Sequence, residues 1–329
     1  MLKRFSVLLL VVFVLAGLMV LPVMAEEEPI EIYFFPGGSP GGTFATVVYN
    51  GAKEAAEILG DRVKVNYMWS DWSPQKMVNQ LQQAIAANPD GIAIMGHPGD
   101  KAYEPFVKQA IEQGIIVTSQ NATLPELEKK YAGKGFGYVG QGLYESGYTL
   151  GEATVRMAGL KEGDKALVWG LKSQPTRGQR TRGAIDALEE AGVRVDYMEI
   201  SPEVDKDASN GIPVIAGYLQ ANPDCKAVIT DHGALTATQQ AYFESAGLGP
   251  DDVFGAGFDL SAATVKAIKS GYTDLVLDQQ PFLQGFLPIF QIYLTKKYGF
   301  SGLHIDTGGG LIHAGNIDMI APLAEKGIR

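Results

Sequence analysis

The sequence is poor in cysteine, basic charge and histidine, and each shortage removes a class of protein. Cys225 is the one cysteine in 329 residues, so no internal disulfide staples the chain and its stability must come from apolar cores. Lysine and arginine number 27 against 37 aspartates and glutamates. No basic cluster stands out from that trend, and a chain this acidic has no general attraction for phosphate backbones, which excludes nucleic-acid binding. The four histidines, His97, His232, His304 and His313, are scattered, and none pairs with another at metal-ligand spacing. No His-Glu-x-x-His and no Gly-Lys-Ser/Thr loop occurs, and no nucleophile with an attendant base stands out. Neither catalysis, nor a metal, nor a cofactor is expected.

Long apolar runs are also scarce. The main one lies at residues 5–20, after Lys3 and Arg4 and before Val23-Met24-Ala25 and Glu26-Glu27-Glu28. That order reads as an export signal, residues 1–25, cleaved after Ala25 to leave a soluble periplasmic chain. Kept uncleaved, the same run is about long enough to anchor the protein in a bilayer. No cysteine follows it to carry a lipid. At about 150 residues per domain, what remains suggests two domains.

What the chain does have is alternation. Apolar runs at 30–35, 64–68, 92–95 and 115–118 alternate with helical patterns such as Met77, Val78, Leu81, Ala84 and Ile85. The same grammar restarts at 166–169, 193–198 and 227–230. Ala-Asn-Pro-Asp occurs at both 87–90 and 221–224, each time between a helix and a strand. The fold class is therefore α/β, with two similarly built, doubly wound parallel-sheet lobes.

In such sheets ligands lie beyond the carboxyl ends of the strands. Those positions hold aromatic rings, carboxylates, amides and arginines, which suit a polyhydroxylated small molecule. Rings cover its C–H faces, while Asp, Asn, Gln and Arg satisfy its hydroxyls. Phe44, Trp69 and Trp72 are candidate rings, and His97 and His232 also fall at strand ends. Trp169 reads as ordinary packing. Asp259, after the apolar stretch 253–257, must be given partners there. The Gly37-Gly38-Ser39-Pro40-Gly41-Gly42 loop lacks the dinucleotide spacing, and Pro40 removes a backbone donor. Asp205-Lys206-Asp207 begins like a calcium loop, but Asn210 and Ala216 stand where Gly and Glu are needed.

Several segments resemble the ribose/xylose-type substrate-binding proteins of bacterial ABC sugar importers. They include Gly51-Ala52-Lys53-Glu54-Ala55-Ala56, Asn88-Pro89-Asp90-Gly91-Ile92 and Tyr138-Val139-Gly140-Gln141. Gly257-Phe258-Asp259-Leu260-Ser261 and Asp278-Gln279-Gln280-Pro281-Phe282-Leu283-Gln284-Gly285 carry the likeness most specifically. The resemblance implies a three-strand hinge near 138–141, 278–280 and 305–307. The N-terminal lobe would be 26–138 with 281–306, and the C-terminal lobe 139–280 with 307–329. It also implies ligand contacts at Asn121, Arg180, Thr230 or Asp231, Asp259 and Gln279, with Arg180 and Asp259 expected to pair. The family's Asn/Asp-Pro-Phe-Phe/Trp is here Gly42-Thr43-Phe44-Ala45, its Asp-Arg pair is Asn121-Ala122, and its second-lobe aromatic has no counterpart near 205–207. Trp69 or Trp72 is placed to restore the missing ring. The implied function is capture of a monosaccharide or polyol and delivery to the membrane permease of an ABC importer, by a monomer. A chemoreceptor stays open as a second partner, and a nucleoside or furanone-like signal as the alternative ligand.

Overall fold

The computed structural model describes residues 28–329, so the expected export signal at 1–25 lies outside the described residues. β3 (Gly91–Met95) and β4 (Ile116–Gln120) are buried along their whole length. Both their faces are covered by helices, which is why they read as unbroken apolar runs. They lie in a six-stranded sheet ordered β11-β5-β4-β3-β1-β2. Its other members are β1 (Ile30–Gly37), β2 (Val63–Trp69), β5 (Tyr138–Gly140) and β11 (His304–Asp306). The second sheet is ordered β12-β10-β9-β8-β6-β7. It is built from β6 (Lys165–Gly170), β7 (Arg194–Glu199), β8 (Cys225–Thr230), β9 (Phe254–Phe258), β10 (Leu275–Asp278) and β12 (Gly310–Ile312).

The two strand orders are the same order written twice. The repeated Ala-Asn-Pro-Asp segments enter β3 and β8, which hold equivalent places in their sheets. One strand departs from the expected parallel arrangement: β12 runs antiparallel to β10. The chain reaches it directly from β11 through Thr307, Gly308 and Gly309, a link too short for a crossover.

Each lobe has its own core. Ile32, Phe34, Met77, Ile92, Val107 and Phe136 belong to the first. The second sheet is packed on one face around Val168, Leu188 and Phe258 and on the other around Trp169, Ile215 and Tyr242. Trp169, 1% exposed, is thus a core residue. Among the described residues no helix is long and apolar enough to cross a membrane.

One helix pair in each lobe packs backbone on backbone. Where helix Thr43–Leu59 meets helix Pro281–Tyr298, a Cβ on Gly285 would lie 1.8 Å from the Val48 carbonyl oxygen, and one on Gly51 2.0 Å from that of Phe282. Helix Leu143–Ala158 meets helix Gln179–Glu190 in the same way, Gly147 lying against the Arg180 carbonyl and Gly183 against that of Tyr144. These contacts set where residues 279–285 and Arg180 sit.

The chain crosses between the sheets after Gly140, after Asp278 and after Asp306. Tyr138 Oη donates to the carbonyls of Asn121 and Gln141 at 3.0 and 2.8 Å. The Gln280 carboxamide donates to Thr307 O at 3.1 Å, and that of Gln284 to Thr307 Oγ1 at 3.1 Å. Buried Asp278 accepts from Gln280 N at 2.9 Å and from Arg329 Nε at 2.6 Å.

Candidate functional site

The carboxyl ends of both sheets face one cleft of about 420 Å³, lined from both lobes. Of the nine residues expected there, Phe44, Trp72, His97, Asn121, Arg180, Asp259 and Gln279 line it. Trp69 and Asp231 do not.

Trp72 owes its place to the glycine-rich loop. Its φ of 56° is a left-handed conformation that a bulky residue rarely takes. Its amide donates to Gly37 O at 3.1 Å, and its ring lies where Cβ atoms on Gly37 and Gly38 would stand. The loop that superficially suggested a nucleotide is therefore a bed for an indole. Phe44 stands 5.8 Å from the Trp72 ring and His97 5.3 Å, centroid to centroid. Trp69, at the end of edge strand β2, instead packs its ring 5.4 Å from Tyr49 on helix Thr43–Leu59, because its side chain points to the helix-covered face. Residues 37–41 also have the Gly-x-Ser-x-Gly spacing of a nucleophile elbow. Ser39 Oγ, however, donates to Asp71 Oδ1 at 2.6 Å, an exposed carboxylate paired with Lys76 rather than an imidazole.

Asp231 sits behind the cleft rather than in it. Oδ2 accepts from Leu171 N at 3.1 Å and from the Thr181 hydroxyl, while Oδ1 faces Arg177 NH1 at 2.6 Å and Arg180 NH1 at 3.8 Å. Its main-chain carbonyl accepts from both arginines, at 3.1 and 2.9 Å. Burial pushes this carboxyl up, but the two guanidiniums outweigh it and hold it at about 2. The expected ligand contact is thus an anchor for two arginines.

Arg180, 1% exposed, lies with its guanidinium carbon 4.3 Å from the centre of the Phe258 ring. Turned with its oxygen toward Arg180, the Gln141 carboxamide accepts from Nε at 3.0 Å and donates to Ser146 Oγ at 3.3 Å. The expected Arg180–Asp259 pair is not formed directly, because the Gln279 carboxamide stands between them. Its nitrogen donates to Asp259 Oδ1 at 2.7 Å, and its oxygen accepts from Arg180 NH2 at 3.3 Å and Asn121 Nδ2 at 3.2 Å. Asp259 Oδ2 accepts from Gly233 N at 3.2 Å. Burial raises the Asp259 carboxyl, against the opposing pull of Arg180 and the Gln279 bond. Asn121, Asp259 and Gln280 all take φ between 55° and 65° just after their strands, and such strain concentrates at ligand clamps.

His232, placed at a strand end by the sequence but not counted among the ligand contacts, also lines the cleft, as do Arg177, Lys206 and Gln174, which sequence reasoning did not single out. Arg177 shares its loop with Arg180 and Arg182, and position after a strand does not say which of the three turns inward. Asp207, from the calcium-like segment, caps the short turn Ala208–Gly211 through Ser209 N at 3.0 Å.

Two lobes joined by three chain crossings flank a polar cleft faced with aromatic rings, an arrangement of the size and chemistry to hold a small molecule. Residues 32–295 match the periplasmic binding protein domain, and the chain belongs to that family. The xylose/arabinose-binding protein XylF of Sulfolobus acidocaldarius is 28% identical over 278 residues, which are 77% of this chain and 64% of that protein. The chain thus spans a little under two thirds of that relative's length. A carbohydrate transporter from Acidothermus cellulolyticus, solved with myo-inositol, superposes with a TM-score of 0.77 at 24% identity, covering 92% of this chain and 100% of that one. An ABC transporter solute binding protein from Burkholderia graminis, solved with D-arabinose, gives 0.77 at 22% identity over 89% and 98%. The fold is the two-lobed α/β fold of type I periplasmic binding proteins.

Proposed function

We propose that this chain is the exported, monomeric capture component of an ABC importer, enclosing a neutral monosaccharide or polyol between its lobes and presenting the closed form to a membrane permease. The moving units are 26–138 with 281–306 and 139–280 with 307–329. The observation that carries the reading is the lining of the cleft. The first lobe offers the Phe44–Trp72 ring pair, and both lobes offer fixed hydrogen-bonding groups that meet at Gln279. That combination suits a ring with C–H faces and a hydroxyl edge. Three cations, Arg177, Arg180 and Lys206, stand against three carboxylates, Asp205, Asp259 and the anchoring Asp231. Balanced charge favours an uncharged ligand over a sugar acid or a phosphate. The ligands of the similar proteins, xylose or arabinose, myo-inositol and D-arabinose, support the same class.

Closure follows from differential contact, since only the closed form touches the ligand from both sides. Periplasmic binding proteins are a standing example of such hinge closure. This role needs no covalent chemistry. The test is thermal melting of residues 26–329, refolded free of ligand, against pentoses, hexoses, polyols and nucleosides. Ligand at about 100 times its Kd adds about 2.7 kcal/mol, a shift of several degrees for lobes of this size. A shift with a sugar or polyol supports the reading. A shift with nucleosides alone overturns the sugar, and no shift with any compound overturns the proposal.

A further inference from the structure

We propose that His97 and His232, one from each lobe, grip the ligand as neutral imidazoles that donate through Nε2, and that acid releases the cargo by charging them. This deepens the sugar reading and rests on it. His97 follows β3 and His232 follows β8, the equivalent strands of the two sheets, and both line the cleft. Both rings are partly exposed, yet in each the Nδ1 atom is shut away with no hydrogen-bond partner among the described residues. The open edge of each ring is therefore the one that carries Nε2. An imidazolium has two N–H donors. A proton on a buried Nδ1 would be an orphan donor, and an unmade bond of that kind is expensive. The tautomer that avoids it leaves Nδ1 bare and aims Nε2–H at the cleft.

The arginines near the rings act in the same direction, and at His232 two aspartates oppose them. His97 faces Arg177 and Arg180 from the opposite lobe, with the uncharged Trp72 ring at its side. His232 faces the same two arginines, Asp231 beside it in the chain, and Asp205, whose Oδ1 is 3.7 Å from Nε2. Burial and then Arg177 push His97 down to about 3 and His232 to about 4, in the second case against both aspartates. Opening separates His97 from the arginines of the other lobe and lets water reach its ring, so it moves toward the ordinary imidazole value of about 6.5, while His232 keeps its own-lobe arginines and gains only the added hydration. The open form then binds more protons than the closed form once the pH drops below that value. Closure and affinity are full above it and fall as the pH falls, by up to about tenfold per unit for each ring.

The experiment is calorimetric titration with xylose, arabinose, D-fucose and myo-inositol at pH 8, 7, 6 and 5, with the fold checked by circular dichroism in each buffer. The wild-type affinity is expected to change little from pH 8 to 7 and to fall more than tenfold from 7 to 5. H97Q and H232Q each keep an amide donor and lose the proton, so each flattens that fall while still binding at pH 8. The Asp259 carboxyl, raised by burial, is present in all three proteins, so the comparison of slopes is what reads the histidines. Binding at pH 8 with equal affinity at pH 5, or equal slopes in wild type and both variants, overturns the histidine pair and leaves the sugar reading standing. If no compound of the panel binds at pH 8, the sugar reading falls and the pair falls with it.

Discussion

Trp69 ends strand β2 and Trp72 lies three residues on in the loop that follows, and the structure sends their rings to different places. Trp72, bedded on Gly37 and Gly38, faces the cleft, while Trp69 packs on Tyr49. Trp72→Ala should lower ligand affinity about tenfold, the upper end of an aromatic contact of about 0.5–1.5 kcal/mol. Trp69→Ala should leave it nearly unchanged, and titration calorimetry on the two variants decides. Asp231→Asn makes a different point, because it leaves Arg177 and Arg180 buried without their counter-charge. A loss of about 3–5 kcal/mol of stability is expected, read from thermal melting at neutral pH. The sign with pH follows from a carboxyl depressed to about 2. Its contribution is present above the ordinary aspartate value of about 3.9 and is lost as the pH falls toward 2. The wild-type melting temperature should therefore drop across that window, with a smaller drop in D231N. Seven of the nine residues named line the cleft, Phe44, Trp72, His97 and Asp259 having been picked out by their place at strand ends and Asn121, Arg180 and Gln279 through the family resemblance. Asp231 and Trp69 were misplaced, because position after a strand does not tell whether a side chain points into the cleft, beneath it or onto the neighbouring helix.

At the scale of elements, the helices were readable from their apolar faces, but the contacts that place them were not. Gly51, Gly147, Gly183 and Gly285 look in sequence like ordinary helical glycines. Their role appears only when the partner helix is known, since each lies against a carbonyl of another helix. Gly285→Ala puts a methyl 1.8 Å from the Val48 oxygen, which neither backbone can yield without the helices parting. The expected cost is about 3 kcal/mol or more. Gly217, exposed in helix Ile212–Ala221 with nothing within 4 Å of its Cβ position, is the control. Alanine there should stabilise by about 0.5–1 kcal/mol, since it only removes backbone freedom. Chemical denaturation of the two variants should therefore move the midpoint in opposite directions. A common direction would mean that helix propensity, not the close approach, governs both sites.

Across the whole molecule, the duplicated strand order was foreshadowed by the repeated tetrapeptide, whereas the hinge clamp left no local trace. Arg329 is 51 residues from Asp278, and nothing near either residue in the chain announces the other. Asp278 is fully buried at one of the three crossings. Its Oδ1 accepts from Gln280 N and holds the left-handed turn, φ 55°, that sends the chain from β10 into the other lobe. Its Oδ2 meets both Nε and NH2 of Arg329, at 2.6 and 2.5 Å. Just before that arginine, Gly327 O accepts from Asn50 Nδ2 on helix Thr43–Leu59. The segment 327–329 therefore touches the first lobe and the hinge, while helix Ile317–Glu325 packs on the core of the second. Arg329→Ala leaves a buried carboxylate without its cation, and about 3–5 kcal/mol of stability should be lost. Adding Asp278→Asn removes the stranded charge while keeping an oxygen for the Gln280 amide, so D278N/R329A should melt above R329A. Melting of all four proteins of the cycle, with D278N alone as the fourth, isolates the coupling between the two residues. A double variant that melts no higher than R329A would show that the carboxylate does not need the guanidinium, and the hinge would then be held by Gln280, Gln284 and Thr307 instead.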